Sequence, residues 1–345
     1  MAGTFLGHPF DEELFYNAWS TTPDPVRTAI LESGVMVNDS LIASQIQSKG
    51  NFYTIPFYDV LNGTLVKYDG QTDITATETT GSTQSGVVYG FAAGFSARNF
   101  VAELTGSDPM GHIARSVGAF WNKERQKILL SILGAVFGIT GGSGNAKLWQ
   151  DNHTADLGST TATAYTIGAT DLNDLATQAL GDNKQEFSLV IMHSNVAKTL
   201  ENMQVLEFWK QTDANGLQRP TGLASMNGYT VVIDDNVPVE TVGGEGANKD
   251  LKKYTTYLLG SGVLRNASAR LDRPNDTDYK PEKNGGQEYL YTRVRETIHP
   301  NGFSFKIPSS GWTGSPSKEQ LAATANWSIV HNPKAIPMAR LITNG

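Results

Sequence analysis

A long amphipathic segment, from Asp108 to about Phe137, constrains this chain more than any other feature. Asp108 is suited to N-cap a helix, and Pro109 fits the first turn, where its missing N–H costs nothing. Apolar residues then recur at the three- and four-residue spacing of one helix face: Ile113, Val117, Phe120, Trp121, Ile128, Ile132, Ala135 and Val136. Four glycines between residues 138 and 144 end the pattern. We therefore predict one helix of roughly 30 residues, about 45 Å long, that connects separate parts of the protein.

The centre of this predicted helix, Lys123 to Lys127, is strongly polar, and we expect it to face water or a neighbouring subunit. The apolar run that follows, Ile128 to Ile139, could be taken for a membrane span. A bilayer requires about 20 apolar residues, whereas this run is shorter and contains two glycines. We therefore predict a buried helix and no membrane contact.

The composition narrows the class of protein. A length of 345 residues predicts two or three structural units. The 27 Lys and Arg residues and 34 Asp and Glu residues give a net charge of −7, which argues against a dedicated DNA-binding protein. The absence of cysteine excludes disulfides, zinc–thiolate sites and cysteine catalysis. The first residues do not contain a charged segment followed by an apolar run, so we expect no signal peptide.

Residues 1 to about 45 have the pattern of an arm with little core of its own. Glycines and prolines divide it into short pieces, with short helices predicted over 11–19 and 26–34. Its aromatic residues require a partner surface, which belongs either to another subunit or to the arm's own domain. These aromatic residues are Phe5, Phe10, Phe15, Tyr16 and Trp19.

Residues 50 to about 104 have the pattern of a long two-stranded excursion. Aromatic and β-branched residues predict an outgoing strand over 52–60 and a returning strand over 87–96. We expect the Thr-rich polar tract between them, 73–86, to be solvated. An isolated ribbon of this kind is marginally stable in water, so its stability must come from packing on something else.

A small α/β unit is predicted after a Gly-, Thr- and Ser-rich stretch, 138–167, that has the composition of a connecting loop. Ser194 is suited to N-cap the second helix of this unit. The predicted elements are a helix at 170–180, a buried strand at 185–193, a helix at 195–203, and buried strands at 228–235 and 254–260.

A long hairpin is predicted over 263–307. Its tip, 272–286, is polar and contains two prolines and two glycines. The returning strand, 287–298, places Tyr289, Tyr291, Arg293 and Arg295 on one face, because side chains alternate along a strand. We expect a late strand over 326–332 to rejoin the α/β unit.

We predict no catalytic and no cofactor-binding residues. The glycine cluster that precedes Lys147 does not have the spacing of a phosphate-binding loop, because Lys147 does not follow a glycine. Leu148 occupies the position where Ser or Thr would be needed for magnesium. A Gly-x-Ser-x-Gly motif is also absent from the sequence.

We also predict no metal-binding residues. The six histidines are scattered, and no two of them have the i, i+4 spacing of a helical metal site: His8, His112, His153, His193, His299 and His331. The acidic residues of the hairpin tip, Asp272, Asp276 and Asp278, do not follow the calcium-loop pattern and are expected to be solvated. Arg293 and Arg295 are expected to pair with acidic neighbours.

The order of these elements resembles that of the major capsid proteins of tailed bacteriophages, the Hong Kong 97 type. The resemblance is in the order of the predicted elements, and it extends over nearly the whole chain. It is carried locally by stretches that look like this family's central strand and helix, its strand before an Asp-containing turn, and its returning strands. These stretches are Phe187 to Leu200, Asn227 to Pro238, Tyr254 to Val263 and Arg293 to Phe303.

The resemblance implies an α+β Hong Kong 97-like capsid fold with four regions. These are an N-arm at 1–45, an extended E-loop at 46–104, a P-domain at 105–138 and 263–308 with a long spine helix and hairpin, and an α/β A-domain at 139–262 and 309–345. The arm and the E-loop would then lie across neighbouring subunits, which explains their small core.

The resemblance further implies a protein that self-assembles into hexamers and pentamers, which form the icosahedral head shell around the double-stranded DNA of a tailed phage. It implies no enzymatic activity and no cofactor, a place in the virion, and assembly in the host cytoplasm. The implied partners are the chain itself, portal and scaffolding proteins, a decoration protein, and packaged DNA by weak non-specific contact. The acidic charge balance fits weak DNA contact, since phosphate contacts dominate affinity.

Some members of this family crosslink a lysine to an asparagine of a neighbouring subunit with help from a buried glutamate. Lys67 lies in the implied E-loop, but matching Asn and Glu motifs are not found, so we expect it to face solvent. The arm looks too short for an internal scaffolding segment, which favours a separate scaffolding protein. Two alternatives remain at this stage: an encapsulin-like compartment shell that encloses enzymes, and an uncharacterised α/β enzyme.

Overall fold

The helices and strands are described from a computed structural model that covers residues 3–5, 8–10, 30, 33–48, 50–58, 63–73, 76, 78–79, 81–158, 164–212, 218–242 and 251–345. The helices of these residues are α1 (Ser40–Ser48), α2 (Asn99–Thr105), α3 (Pro109–Phe137), α4 (Gly144–His153), α5 (Asp171–Leu180), α6 (Ser194–Asn202) and α7 (Lys318–Ala322), with short 3-10 turns at Gly181–Glu186, Thr324–Asn326 and Pro333–Ala335. The strands are β1 (Gly3–Phe5), β2 (His8–Phe10), β3 (Met36–Asn38), β4 (Phe52–Tyr58), β5 (Gly81–Val87), β6 (Tyr89–Arg98), β7 (Thr154–Asp156), β8 (Phe187–Met192), β9 (Glu207–Thr212), β10 (Gln218–Met226), β11 (Tyr229–Ile233), β12 (Val239–Val242), β13 (Leu251–Gly260), β14 (Leu264–Ser268), β15 (Asn275–Lys280), β16 (Gln287–Pro300), β17 (Phe303–Phe305), β18 (Trp327–Ile329) and β19 (Met338–Thr343).

Helix α3 is the predicted long helix, and it begins as the sequence indicates. The carboxylate of Asp108 accepts a hydrogen bond from the backbone N–H of Gly111 at 2.8 Å, and Pro109 occupies the first turn. At the other end, the Arg340 guanidinium donates to the carbonyl oxygen of Phe137 at 3.0 Å. A cation is favourable at this position, because the helix dipole is negative at its C-terminus.

The expectation that Lys123 to Lys127 faces water or a neighbouring subunit is wrong for the centre of this stretch. Gln126 is 1% exposed, and its amide donates to the Asp234 carboxylate. Arg125 donates to Glu296 at 2.8 Å. The helix packs on two sheets of its own chain, so Gln126 is covered and Arg125 is partly covered, and both form hydrogen bonds, as buried polar groups do.

A mixed central sheet forms the main core, in the order β7-β19-β13-β8-β11-β10-β9, with β12 paired to β13. Strands β8 and β11 are parallel, and β13 runs antiparallel to both β8 and β19. Alternate residues of β8 enter two different clusters. Ile191 packs with the side chains of α3, whereas Val190 packs with those of α5 and α6. The predicted α/β unit is therefore present as a sheet with helices on both faces.

The structure corrects four predictions about this unit. Residues 138–167 are not only a connecting loop, because α4 lies within them and buries Trp149. The N-cap of α6 is His193 rather than Ser194. The strand predicted over 326–332 does not rejoin the central sheet: β18 pairs with β17, and β19 is the strand that returns. Strands β9 and β10 extend the sheet in a region where we predicted none.

A second, peripheral sheet is organised around β16, the returning strand of the predicted hairpin. One side of β16 pairs with β15 and then β14, and its other side pairs with β6 over ten residue positions, from Arg98 opposite Gln287 to Tyr89 opposite Glu296. The N-terminal half of α3 packs on one face of this sheet, where the Trp121 indole donates to Thr292 Oγ1 at 3.1 Å.

The predicted excursion is a two-stranded ribbon, here defined as β4, β5 and residues 63–73 between them. The returning strand predicted over 87–96 lies almost entirely outside this ribbon, because β4 pairs with β5, from Gly81 to Val87. Strand β5 uses part of the Thr-rich tract that we expected to be solvated, and Gln84 within it is buried. The pairing changes at Val88. Beyond it the chain continues as β6, which belongs to the peripheral sheet.

Part of the predicted arm folds back on its own chain. Strand β3 pairs in parallel with β14, and α1 buries Ile42 and Ile46 against Tyr53 and Val88. The two short helices predicted in the arm, over 11–19 and 26–34, lie largely outside the described residues. Strands β1 and β2 form a small antiparallel pair.

Replacement of Gly118 by Ala should stabilise the subunit. Gly118 lies in the exposed middle of α3, and a Cβ added there would meet nothing within 4 Å. Alanine costs less backbone entropy than glycine in a helix, so we expect a gain of about 0.5–1 kcal/mol in the free energy of unfolding. Urea denaturation of the unassembled chain measures this gain.

The matched control makes the same change in the first turn of the same helix. A Cβ at Gly111 would lie 1.9 Å from the Asp108 carboxylate, so Gly111→Ala should destabilise the subunit. Stabilisation by both changes would contradict the N-cap geometry.

Candidate assembly surfaces and the contacts that position them

The residues considered for phosphate or cation binding form ordinary ion pairs. Lys147 lies in α4 and pairs with Asp151 one turn later at 2.7 Å. In the hairpin, the Asp276 carboxylate pairs with Arg293 at 2.5 Å, and Asp278 pairs with Lys280 at 3.7 Å. The prediction that Arg293 pairs with an acidic neighbour is confirmed. In contrast, Arg295 donates to the side-chain oxygen of Asn51 at 2.7 Å, so that prediction is wrong for Arg295.

The histidines of the described chain do not converge on one site. His153 is fully buried, its ring stacks on Trp149 at 4.4 Å between centroids, and burial lowers its pKa to about 4. Within the described residues, no group of three or more His, Asp and Glu side chains could hold a metal ion. No helix in the described ranges is long and apolar enough to cross a bilayer.

The ribbon exposes large apolar side chains far from the core. Tyr58 is 81% exposed, Tyr68 is 94% exposed and Leu65 is 100% exposed. Lys67 lies beside them with an exposed side chain and pairs weakly with Asp69 at 3.8 Å. The Asp69 carboxylate accepts backbone hydrogen bonds from Gln71 and Thr72, and these bonds hold its pKa below the usual value. This region forms a locally ordered surface that the subunit itself does not cover.

The peripheral sheet has one open face, opposite α3. On β16 this face carries Tyr289, Tyr291 and Arg293, whose side chains alternate with those that contact the helix. The facing positions of β6 are small and exposed: Gly90, Ala92, Gly94 and Ser96. The rings of Tyr289 and Tyr291 are parallel, with centroids 6.0 Å apart. We call this surface the tyrosine face.

The part of the ribbon that contacts the peripheral sheet, here called its root, comprises Tyr53 on β4 and Gln84 to Val87 on β5. Buried hydrogen bonds attach this root to the sheet. The Tyr53 hydroxyl lies 3.0 Å from Thr297 Oγ1, which donates to the carbonyl of Val87 at 2.7 Å. The Tyr53 ring passes so close to Gly86 that a Cβ there would lie 2.2 Å from it. Burial raises the pKa of the Tyr53 hydroxyl, which keeps it a neutral donor.

A second attachment of the ribbon root uses a histidine. The side-chain nitrogen of Gln84 on β5 lies 2.5 Å from Nε2 of His299, which is 1% exposed. Burial, with smaller contributions from the charge of Arg265 and from His331, lowers the pKa of His299 to about 3. The imidazole is therefore neutral at ordinary pH and accepts the amide hydrogen of Gln84 at Nε2.

Helix α3 is attached to the peripheral sheet by a partly buried ion pair and the side chains around it. Glu296 accepts from Arg125 at 2.8 Å and from the Tyr89 hydroxyl at 3.3 Å. Burial and the Glu296 carboxylate raise the pKa of Tyr89 well above its usual value. On the exposed side, the Glu124 carboxylate accepts from Lys127 and from Lys318 of α7. The orientation of the helix on both sheets is fixed by these contacts.

Structural comparison identifies the architecture. The chain superposes with the capsid of Ralstonia phage GP4 at a TM-score of 0.61 and 12% identity, over 100% of this chain and 98% of that chain. The Cyanophage Pam1 capsid subunit gives a TM-score of 0.57 at 11% identity, over 95% and 96% of the two chains. The fold is therefore the α+β Hong Kong 97-like fold of tailed-phage capsid subunits.

Sequence comparison gives the family. The Gp13-like model, described as major capsid protein 13-like, matches residues 38–337, and the chain belongs to this family. The chain is also 28% identical over 338 residues to the major capsid protein of Bacillus phage SPP1, covering 97% of each chain. The protein is thus a major capsid protein, a structural component of the head shell of a tailed phage. The resemblance drawn from the sequence is confirmed, and the family and the SPP1 relative decide against an encapsulin-like compartment shell.

Replacement of Glu296 by Gln should destabilise the subunit. The change removes the charge that pairs with Arg125, whose side chain is only partly exposed. We expect a loss of about 2 kcal/mol in the free energy of unfolding, between the values for an exposed and a buried ion pair. Urea denaturation at neutral pH provides the measurement.

Asp151→Asn is the control, because it removes an exposed ion pair with Lys147. We expect it to change the unfolding free energy by less than about 0.5 kcal/mol. Equal effects of the two variants would show that the Arg125–Glu296 pair does not fix the helix on the sheet.

Proposed function

We propose that this chain assembles into hexamers and pentamers that form the icosahedral head shell around double-stranded DNA, and that it has no enzymatic activity. Assembly takes place in the host cytoplasm. The proposal rests on the exposed apolar surface of the ribbon. Its apolar residues Tyr58, Leu65 and Tyr68 are almost entirely exposed in the single subunit, and contiguous exposed apolar surface is typical of interaction sites.

The ribbon of one subunit contacts the tyrosine face of the next in this proposal. Tyrosine and arginine are enriched at protein interfaces and supply much of their binding energy, and the face carries Tyr289, Tyr291 and Arg293. The Tyr291 ring lies over Gly94 of β6, where an added Cβ would be 3.2 Å from it, so the tyrosine is presented on the surface of this face. The ribbon and the tyrosine face are different surfaces, so the contact between them is head-to-tail. Repeated head-to-tail contacts form a closed ring when the rotation from one subunit to the next divides a full turn.

In this proposal, each of the four regions implied by the resemblance has a structural role. The N-arm, 1–45, and the E-loop, 46–104, provide contacts between subunits. The P-domain, 105–138 and 263–308, and the A-domain, 139–262 and 309–345, supply the two sheets joined by α3. The boundary of the E-loop differs in one respect from the implied range: β6, in the second half of that range, is a strand of the P-domain sheet.

The proposed partners follow from a shell of this kind. They are further copies of the chain, a portal protein, a separate scaffolding protein and a decoration protein. Contact with packaged DNA is weak and non-specific, because the net charge of −7 gives little attraction for phosphate. Lys67 contributes a solvent-facing charge rather than a crosslink.

Electron microscopy of the purified chain, paired with size-exclusion chromatography, tests assembly directly. We expect rings of five or six subunits, tubes or closed shells, with or without added scaffolding protein. A chain that stays monomeric at all concentrations and with scaffold would contradict the proposal. Encapsulated DNA in shells isolated from infected cells would support the head-shell assignment.

Replacement of both Leu65 and Tyr68 by Ser should abolish assembly and leave the subunit folded. Both side chains are exposed in the subunit, so the change in unfolding free energy should stay within about 0.5 kcal/mol. Light scattering measures assembly, and circular dichroism with urea measures folding.

The control variant replaces Leu65 by Met and Tyr68 by Phe, which keeps the apolar surface and should still assemble. If the serine variant forms shells as readily as the control, the ribbon does not make the proposed contact.

A further inference from the structure

The ribbon covers a buried histidine of the peripheral sheet. The His299 side chain is surrounded by Tyr53 on β4, with ring centroids 6.0 Å apart, by Gln84 on β5 and by Trp327 on β18, with ring centroids 6.3 Å apart. Its imidazole also forms a hydrogen bond with the backbone of Phe303. Two of these neighbours, Tyr53 and Gln84, belong to the ribbon, so separation of the ribbon root would open His299 to water.

The contact between Gln84 and His299 requires an uncharged imidazole. Gln84 donates at Nε2, and a protonated imidazole has no acceptor there because both of its nitrogens donate. A flip of the Gln84 amide would present its oxygen to the imidazole. The Gln84 nitrogen, however, also lies 3.5 Å from the carbonyl of Pro300, so the flipped oxygen would face that carbonyl.

The charged groups around His299 also disfavour its protonation. Arg265 on β14 and His331, beyond β18, both act against a positive charge on the ring. The carboxylate that neutralises Arg265 is Asp39, which pairs with it at 2.9 Å and also accepts the backbone N–H of Leu41 at the start of α1. Tyr53 is neutral, and Gln84 has no charge. A proton on His299 is therefore best accommodated when the ribbon root has moved away.

We propose that His299 makes the attachment of the ribbon pH-sensitive: acid releases the β4–β5 ribbon from the peripheral sheet while the central sheet stays folded. The contact between His299 and the ribbon lies within one subunit, so this proposal does not depend on the proposed assembly. The ring centroid of His331 lies 4.4 Å from that of Phe57 on β4, so a second imidazole contacts the ribbon.

The sign and size of the effect follow from proton linkage. The attached ribbon holds His299 neutral, with a pKa of about 3, whereas an exposed histidine has a pKa of about 6.5. The open form therefore binds more protons below pH 6.5, and its population rises as the pH falls. Between pH 7.5 and pH 5 the ratio of open to attached ribbon should rise about thirty-fold from His299 alone.

Hydrogen–deuterium exchange on the full chain, kept below its assembly concentration, tests this proposal. Exchange protection at each pH is expressed relative to the intrinsic exchange rate at that pH. We expect protection of the backbone amides of β4 and β5 to fall by about thirty-fold from pH 7.5 to pH 5. Protection of β8 in the central sheet should change less than twofold.

His299→Gln is the decisive variant, because glutamine can accept from Gln84 and donate to the backbone of Phe303 but does not titrate. We expect it to remove most of the pH response of β4 and β5. His112→Gln, at an exposed position on α3, is the control and should keep the full response. An unchanged response in His299→Gln would overturn the proposal.

The wild-type chain decides the question even if His299→Gln does not fold. Loss of protection confined to β4 and β5, beginning below about pH 6.5, supports the proposal. Equal loss in β8 at the same pH would mean that acid unfolds the whole subunit, and no loss in either element would mean that His299 does not control the ribbon. Either of these results would overturn it.

Discussion

The structure depends on one helix, α3, that packs on two sheets. Its apolar C-terminal half packs on the central sheet through residues such as Ile132 and Val136. Its N-terminal half lies on the peripheral sheet, where side chains such as Trp121 and Arg125 form hydrogen bonds with β16. Apolar packing alone would allow the helix to slide, because it is not directional. The hydrogen-bonded pairs at the centre of the helix fix its register on both sheets at once.

Elements with local signals could be predicted from the sequence, and those that depend on distant partners could not. The N-cap at Asp108 and the buried strand that became β8 are encoded within a few residues. Helix α4 was missed because its mean polarity is high and it begins among glycines; its one strong signal, Trp149, acts by stacking on Phe137, twelve positions earlier in the chain. Strand β18 was correctly predicted as a strand, but nothing in its own residues indicates that β17 is its partner.

The same limit applies to the functional surfaces. The Thr-rich tract was expected to be solvated, but its last residues belong to β5, where Gln84 is buried. The contacts at the root of the ribbon were not expected, since Gln84 and His299 are separated by more than two hundred residues and neither belongs to a recognisable motif. Glu296 was not singled out within the predicted returning strand, and the polar centre of α3 was expected to face water or a neighbouring subunit. The position of a polar residue in an amphipathic pattern does not show whether its hydrogen-bond partner is water or another polar residue.

The exposed tip of the ribbon has a consequence for a shell built from many copies. A few apolar side chains on a two-stranded element give each contact only modest strength, so a subunit added in the wrong orientation dissociates before others enclose it. In the proposed shell, a correctly placed subunit is held by its own ribbon on one neighbour and by the ribbon of another, so its dissociation requires two contacts to break together. Misplaced subunits would then leave early, while enclosed subunits would stay.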